Sequence, residues 1–367
     1  MKILIINNSF WNFFNFRMNL ISEIKKNIKS DIHLVAPPDY YFDKLKTNKN
    51  FTCYPLNFNP NSTNFISNFT LLFRLYQLTR KIRPDVILSF TIKPNIYGGY
   101  ISRILKIPII NNISGLGSVF IKKNLMTSFT HFLYKLSFSR NNYIFFQNPH
   151  DMNEFKVSGL LNNSRYDVIP GSGIDTKEWQ SSSKENKGNN ILFCARLIRD
   201  KGINEFLNAA RIIKGKYPKI QFNVVGQLGV KNKTSIERKI LDGYIDDKII
   251  NYMGESSNMK KIIDNNDIVV LPSYREGMSR FLLESASMRK PIITTNVPGC
   301  KDIVKDSFNG FLCAPKNIED LALKIDKMIN LSESERMQYG KNGRKLMIEN
   351  FEEKKVISRY LAAMQDI

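Results

Sequence analysis

This chain of 367 residues has little cysteine, little histidine and a shortage of acid. Its four cysteines, Cys53, Cys194, Cys300 and Cys313, are scattered and form no C-x-x-C pair. That excludes a disulfide framework and a cysteine zinc site, and leaves reduced, mostly buried thiols. The three histidines stand far apart. No apolar run reaches the roughly 18 residues needed to span a bilayer. Lys2–Ile6 is too short for a signal-peptide core and runs into Asn7-Asn8, so the protein is expected in the cytoplasm. There is no short-period repeat and no low-complexity tract. No helix-turn-helix, zinc-finger or RNP pattern supports nucleic-acid recognition.

What is present is a globular composition, with 43% apolar and 24% charged residues. The length exceeds what one core usually fills, so two domains are expected. Lys and Arg number 54 against 33 Asp and Glu, for a net charge of +21. The first 170 residues hold 21 basic and 8 acidic side chains, and are the more basic part per residue. Such an excess suits a polyanionic partner: nucleic acid, an anionic membrane surface or a phosphorylated substrate.

Short apolar runs alternate with longer helical patterns. Lys2–Ile6, Ile32–Ala36, Thr52–Leu56, Val86–Phe90, Ile107–Ile110, Tyr143–Phe146 and Val168-Ile169 read as strands. Met18–Ile28 and Phe65–Arg83 read as helices, the second stopped before Pro84. The pattern breaks at the turn-rich Pro170–Asp175 and at the polar spacer 181–190, then starts again at Ile191–Ala195. The expected architecture is α/β: two doubly wound, Rossmann-like domains facing across a cleft. The expected divisions are 1–170, 171–346 and a C-terminal helix, 347–367, packing back on the first domain.

One stretch concentrates possible chemistry. The apolar run Ile268–Leu271 leads into Pro272-Ser273-Tyr274-Arg275-Glu276-Gly277-Met278-Ser279 and then a helical pattern, Phe281–Met288, that contains Glu284. A helix start at the C-terminal end of a parallel strand suits an anion. A carboxylate beside it can hold hydroxyls, and a glycine lets backbone N–H groups approach. The same letters also fit a capping box, Ser273-x-x-Glu276, and an Arg280–Glu284 pair on a solvated helix face. Arg196 and Lys201 follow the strand Ile191–Ala195 and can neutralise a diphosphate leaving group, or be two solvated cations.

Taken together, Arg196-x4-Lys201-Gly202, Glu276-x7-Glu284, Pro272-Ser273-Tyr274 and Asn296-Val297-Pro298-Gly299-Cys300 resemble the retaining nucleotide-sugar glycosyltransferases of family 4, which have the GT-B fold. Ile169–Asp175 matches that family's interdomain segment and places Gly173 among the donor contacts. The resemblance implies that Arg196 and Lys201 bind the donor diphosphate, that Glu276 binds hydroxyls of the transferred sugar, and that Glu284 binds the ribose. Glu276, Arg196 and Lys201 are then the catalytic set, with backbone N–H groups of Gly277, Met278 and Ser279 facing sugar or phosphate. The donor implied is a UDP-sugar, with no cofactor and no metal; the absence of an Asp-x-Asp pair agrees.

The N-terminal half departs from the family pattern. The loop after the first strand, Asn7–Asn12, has no glycine. Ser114-Gly115-Leu116-Gly117 supplies glycines on another loop, as an approach point or a flexible strand exit. Ser89–Asn95 resembles a segment of the subgroup acting on lipid-linked saccharides in bacterial surface-glycan assembly. Lys93, Asn95, Ser114, Gly115 and His150 are therefore the expected acceptor contacts; for Lys93 the alternative is a loop lysine before proline, and for His150 a capped segment. His131 reads as structural. Phe65–Arg83 carries one apolar stripe of Leu71, Leu75, Leu78 and Ile82 and another of Phe65, Phe69, Leu72 and Tyr76. The second is either buried or set against an anionic inner-leaflet surface. Trp11, Phe13, Phe14 and Phe16 offer a second lipid or acceptor contact. The expected partners are thus a UDP-sugar, a lipid-linked saccharide and the membrane surface, and no nucleic acid. A UDP-sugar 2-epimerase and a basic nucleic-acid-binding protein are the alternatives.

Overall fold

The computed structural model describes every residue except 60, 61, 63, 117–124, 139–141, 162, 163, 183, 184, 231, 233 and 367. The chain divides into two compact units, Met1–Ser172 with Lys355–Ile367, and Gly173–Lys354. The expected terminal helix 347–367 is thus corrected: residues 347–354 stay with the second unit.

The first unit runs β1 (Lys2–Ile6), α1 (Phe10–Phe16), α2 (Met18–Asn27), β2 (Asp31–Ala36), α3 (Tyr40–Leu45), β3 (Thr52–Pro55), α4 (Phe65–Ile82), β4 (Val86–Phe90), α5 (Ile92–Leu105), β5 (Ile109–Ile113), α6 (Leu125–Ser137), β6 (Asn142–Phe146), α7 (Pro149–Val157) and β7 (Arg165–Val168). Its seven strands are ordered β3-β2-β1-β4-β5-β6-β7, and each adjacent pair is parallel. β1, β2, β4 and β5 are buried on both faces because helices cover both. On one face Ile3, Ile5, Leu34, Leu88 and Phe145 pack with Phe10, Phe13, Ile24 and Tyr360. On the other, Leu4, Ile6, Ile87 and Ile109 pack with Leu75, Ile82 and Ile101.

Two helices hide in the sequence. α1 begins at Phe10, capped by Ser9, whose hydroxyl accepts from the Asn12 N–H; the expected loop 7–12 is therefore only three residues long. α5 contains Pro94, Gly98 and Gly99, which argue against a helix. Pro94 sits in the first turn, where it costs no hydrogen bond. A Cβ on Gly99 would lie 3.0 Å from the Ser137 carbonyl oxygen of α6. The glycine allows α5 to sit close against its neighbour.

The same region holds a buried polar network. Asn111 Nδ2 donates to Ser89 Oγ (2.8 Å), which donates to Asn95 Oδ1 (2.7 Å). Asn95 Nδ2 donates to the Asn112 carbonyl at 2.8 Å, and Asn142 Nδ2 to Asn111 Oδ1 at 3.0 Å. Asn112 Nδ2 donates to the Tyr360 hydroxyl at 2.6 Å. These groups are buried and pair with one another, so central strands tolerate them.

Along α4, Leu71, Leu75 and Ile82 are buried. Leu72 and Tyr76 are half-buried against the same core. The outward stripe is Ile66, Phe69 and Phe73; of the expected Phe65, Phe69, Leu72 and Tyr76, Phe69 faces out, and the Phe65 side chain lies outside those described. Phe13 is fully buried, so only Trp11 and Phe14 of that aromatic group are well exposed.

The second unit runs β8 (Asn190–Cys194), a 3-10 turn at Arg199–Lys201, α8 (Ile203–Lys216), β9 (Gln221–Val225), α9 (Arg238–Asp246), β10 (Asn251–Tyr252), α10 (Met259–Asp264), β11 (Ile268–Leu271), α11 (Arg280–Ser287), β12 (Ile292–Thr295), β13 (Gly310–Cys313), α12 (Ile318–Asn330) and α13 (Glu333–Asn350). Its strand order is β10-β9-β8-β11-β12-β13, all parallel. The last helix, α14 (Glu353–Gln365), belongs to the first unit from Lys355 onward.

Replacing Asn95 by alanine leaves the Asn112 carbonyl and the Ser89 hydroxyl short of buried partners. The expected loss is roughly 2 kcal/mol or more, read as a lower urea midpoint. A midpoint unchanged from wild type would show that the network contributes nothing net.

Candidate active site

In the second sheet the chain winds outward from β8 through β9 to β10, then returns to place β11 on the other side of β8. The order therefore reverses between β8 and β11. In open parallel sheets ligands bind at such a switch point, beyond the C-terminal strand ends. Arg196 and Lys201 follow β8, and Ser273 and Glu276 follow β11, so all four leave the sheet at this place.

The side chains meet there. Lys201 Nζ lies 2.5 Å from Glu276 Oε1, and both side chains are largely buried. Ser273 donates its hydroxyl to the same oxygen at 2.7 Å. The Glu276 N–H donates to the Pro298 carbonyl at 3.2 Å, and the Tyr274 N–H to the Asp200 carbonyl at 2.9 Å. Three loops, after β8, β11 and β12, are thus laced together around one carboxylate. Arg196 is exposed beside them.

Two glycines make the lacing possible. Gly202 has φ +74, and a Cβ there would sit 2.1 Å from the Pro272 carbonyl oxygen. Gly299 has φ +78, and its Cβ would sit 2.4 Å from the Glu276 carbonyl oxygen. Both positions need a left-handed backbone and an absent side chain. The sequence contained both glycines, but their place beside a foreign carbonyl is a tertiary fact.

The capping expectation is corrected. Ser273 caps no helix; α11 starts at Arg280, and its cap is Ser279, which accepts from the Leu282 N–H. The Ser279 N–H is itself directed at the Gly299 carbonyl at 3.4 Å, so it does not face a ligand. Gly277 is buried, and Met278 packs on the apolar core. The Arg280–Glu284 pair forms, with Nε 2.9 Å from Oε1, but on a buried face rather than a solvated one. Burial raises the Glu284 pKa, and Arg280 opposes that rise. Arg280 also donates from Nη1 to the Gly173 carbonyl at 2.8 Å, which ties Gly173 to the Glu284 side of the site. The thiols near these glutamates stay protonated: burial pushes Cys194 and Cys300 up to about 12, helped by Glu284 and Glu276 respectively. Tyr274, which donates to Glu205 Oε1 at 2.7 Å, escaped the sequence reading. No motif links the two residues, which stand 69 positions apart.

In the first unit the order reverses between β1 and β4. Four of the five expected acceptor residues follow the ends of β4, β5 and β6 as exposed or half-buried groups. Asn95 is the exception and the correction: it is fully buried in the amide network and cannot touch a substrate. Lys93 lies inside α5, not in a loop, and its ammonium donates to the Asn59 carbonyl (2.7 Å) and Asn68 Oδ1 (2.9 Å). Burial lowers its pKa. Ser114 and Gly115 are half-buried, with Gly115 at φ +110; Gly117 lies outside the described residues. His150 is exposed in the first turn of α7, whose cap is Asn148. Among the described residues, His150, Asp151 and Glu154 bring metal-capable atoms within 4.8 Å of one another.

A family model described as glycosyl transferases group 1 matches residues 175–346, and one described as glycosyl transferase 4-like matches residues 2–148. The chain belongs to the family 4 glycosyltransferases. It is 27% identical, over 98% of its length and 97% of the relative's, to the N,N'-diacetylbacillosaminyl-diphospho-undecaprenol alpha-1,3-N-acetylgalactosaminyltransferase of Campylobacter jejuni. It is 26% identical, over 93% of its length and 90% of the relative's, to the capsular polysaccharide biosynthesis glycosyltransferase CapM of Staphylococcus aureus. Among solved structures, Anabaena Alr3699/HepE in complex with UDP and glucose superposes with a TM-score of 0.80 at 17% identity, over 100% of both chains. The sucrose-phosphate synthase of Thermosynechococcus elongatus gives 0.79 at 15% identity, over 100% of this chain and 99% of the other. The fold of the enzyme is accordingly GT-B, with a Rossmann-like α/β sheet in each unit.

Gly202→Ala in this enzyme is expected to lose roughly 1–3 kcal/mol of stability, from a strained backbone and a blocked contact; thermal unfolding measures it, and an unchanged Tm would contradict the geometry. Arg280→Met removes the charge that holds the Glu284 pKa down. A carboxyl raised further above its ordinary 4.5 keeps its proton in the folded state, so stability should fall more steeply than in wild type as pH rises from 4.5 into the neutral range. Urea midpoints across that range check the sign.

Proposed function

We propose that the enzyme moves a sugar of the N-acetylhexosamine class from a UDP-sugar to a polyprenyl-diphosphate-linked saccharide, with retention at the anomeric carbon and without a metal. The observation that carries this reading is the Lys201–Glu276–Ser273 cluster at the β8/β11 switch point. The full-length match to a transferase whose name specifies an undecaprenol-diphosphate acceptor supports the substrate class. UDP in complexes of the same fold supports the donor.

In this mechanism the bond between the anomeric carbon and the β-phosphate oxygen breaks as the acceptor hydroxyl oxygen bonds to that carbon. The hydroxyl proton passes to the departing diphosphate. Negative charge builds on the diphosphate while the sugar becomes oxocarbenium-like. Lys201 spends one N–H on Glu276 and has two more for phosphate oxygens, and Arg196 adds a second cation. Fixed cations aimed at developing charge are worth about 3–4 kcal/mol per well-placed donor. Glu276, held by Lys201 and Ser273, accepts from sugar hydroxyls beside the reacting carbon. Glu284 holds the ribose. No strong protein base is needed.

A lipid-linked acceptor puts the work at a membrane surface. Among the described residues no helix is long and apolar enough to cross a membrane, and the charge of +21 favours anionic lipid. We therefore read the enzyme as peripheral on the cytoplasmic leaflet.

A panel of UDP-sugars with polyprenyl-diphosphate saccharide acceptors, followed by mass spectrometry, tests the reading. UDP-N-acetylhexosamine should be consumed and the lipid product should gain one sugar, with or without EDTA. Lys201→Ala and Glu276→Ala should each lower kcat by about 10²–10³-fold. Near-normal transfer by either variant would remove that residue from the mechanism. Release of isomerised free donor without an extended acceptor would favour the epimerase.

A further inference from the structure

α4, α5 and α6 lie side by side over one face of the first sheet. α5 is the middle helix: Gly99 is pressed against Ser137 of α6, and Arg103 Nη1 donates to the Leu136 carbonyl of α6 at 3.1 Å. Their inner sides supply the core; their outer sides should be polar. Instead, Ile66 (76% exposed), Phe69 (63%) and Phe73 (53%) on α4, Ile104 (50%) on α5, and Phe129 (54%) and Phe132 (55%) on α6 face outward. Isolated exposed apolar residues are ordinary, but several large ones on adjacent helices of one layer mark an interaction surface.

The charge around them is of one sign. The three helices carry six basic residues and no acidic one. Arg74, Arg80, Lys81, Arg103 and Lys135 are exposed. Between Asp43 and Asp151 the only acidic residue is Asp85. A second copy of the chain would bring like charges together on such a face. An anionic bilayer satisfies both features at once: aromatic rings enter the interface while Lys and Arg meet the headgroups. The placement of most of the rings along the helices agrees. Ile66, Phe69 and Phe73 occupy the first half of α4 and Phe129 that of α6, with Phe132 just past the middle of α6 and Ile104 near the end of α5. In a parallel sheet the helix starts adjoin the C-terminal strand edge, where ligands bind.

We propose that the outer face of α4, α5 and α6 is the surface by which the enzyme docks on an anionic lipid bilayer. The proposal rests on the lipid-linked acceptor of the preceding section for its biological sense, and on the exposed residues for its physics.

The test is flotation of the full chain with vesicles of phosphatidylglycerol and phosphatidylcholine, and with vesicles of phosphatidylcholine alone. The wild type should float with the anionic vesicles, less so at high salt, and weakly with the neutral ones. Phe69→Ser/Phe73→Ser, Phe129→Ser/Phe132→Ser and Arg74→Glu/Arg103→Glu should each weaken partition about tenfold or more. All three should keep thermal stabilisation by UDP, which shows that they fold. Wild-type protein that fails to float overturns the proposal, and so do variants that float as well as it does. A dimer in sedimentation velocity that these substitutions dissociate, with no flotation, assigns the face to a second copy instead. Transfer to a water-soluble short-prenyl acceptor separates the two readings. Transfer without flotation sinks the docking face alone; flotation without transfer to any lipid-linked saccharide leaves the face and sinks the acceptor.

Discussion

The ion pair between Lys201 and Glu276 is the contact on which the candidate site of the second unit depends. Two residues 75 positions apart reach 2.5 Å because β8 and β11 are neighbours in the sheet. That neighbourhood comes from the winding order, in which the chain leaves β8 in one direction and returns on its other side. A charged pair with little solvent around it needs further hydrogen bonds to be tolerated. Ser273 gives one to the carboxylate, and the Glu276 N–H is fixed by Pro298. Gly202 and Gly299 leave room for the carbonyls that pass behind the pair. The Glu276 carboxylate is thus held by three loops from three strands, and none of them could hold it alone.

The first unit solves a different problem. Its sheet is covered on both sides, yet β5 carries Asn111 and Asn112 at full burial. The amide network with Ser89, Asn95 and Asn142 accounts for them. Polar residues beyond a strand end can bind a ligand, cap a helix or satisfy a neighbour inside. Asn95 does the last, and Lys93 braces the start of α4. The outer sides of α4, α5 and α6 carry instead a set of rings and cations, free of acid.

Much of the architecture was legible in the chain. Apolar runs of four to six residues separated by longer periodic stretches specify parallel strands and covering helices whatever the details. The break at 170–175 fell at the boundary between Ser172 and Gly173. α5 was not legible, because Pro94, Gly98 and Gly99 lower helix propensity; only the close approach of Ser137 explains why glycine stands there. Which side of α4 faces outward was not legible, since Leu72 and Tyr76 could serve either face until a core existed to claim them.

The sequence by itself determined the α/β class, the two units and the excess of positive charge, and its motifs singled out Arg196, Lys201, Glu276 and Glu284 as site candidates. The class, the units and the charge follow from local pattern and composition, which need no partner to be read. Only the tertiary structure decided that Ser273 serves Glu276 and not a helix end, that Glu284 pairs with Arg280 while buried, that Asn95 lies out of reach of a substrate, and which aromatics remain outside. Each of those outcomes depends on groups distant in sequence. The winding of the sheet, and not any local preference, sets which of them meet.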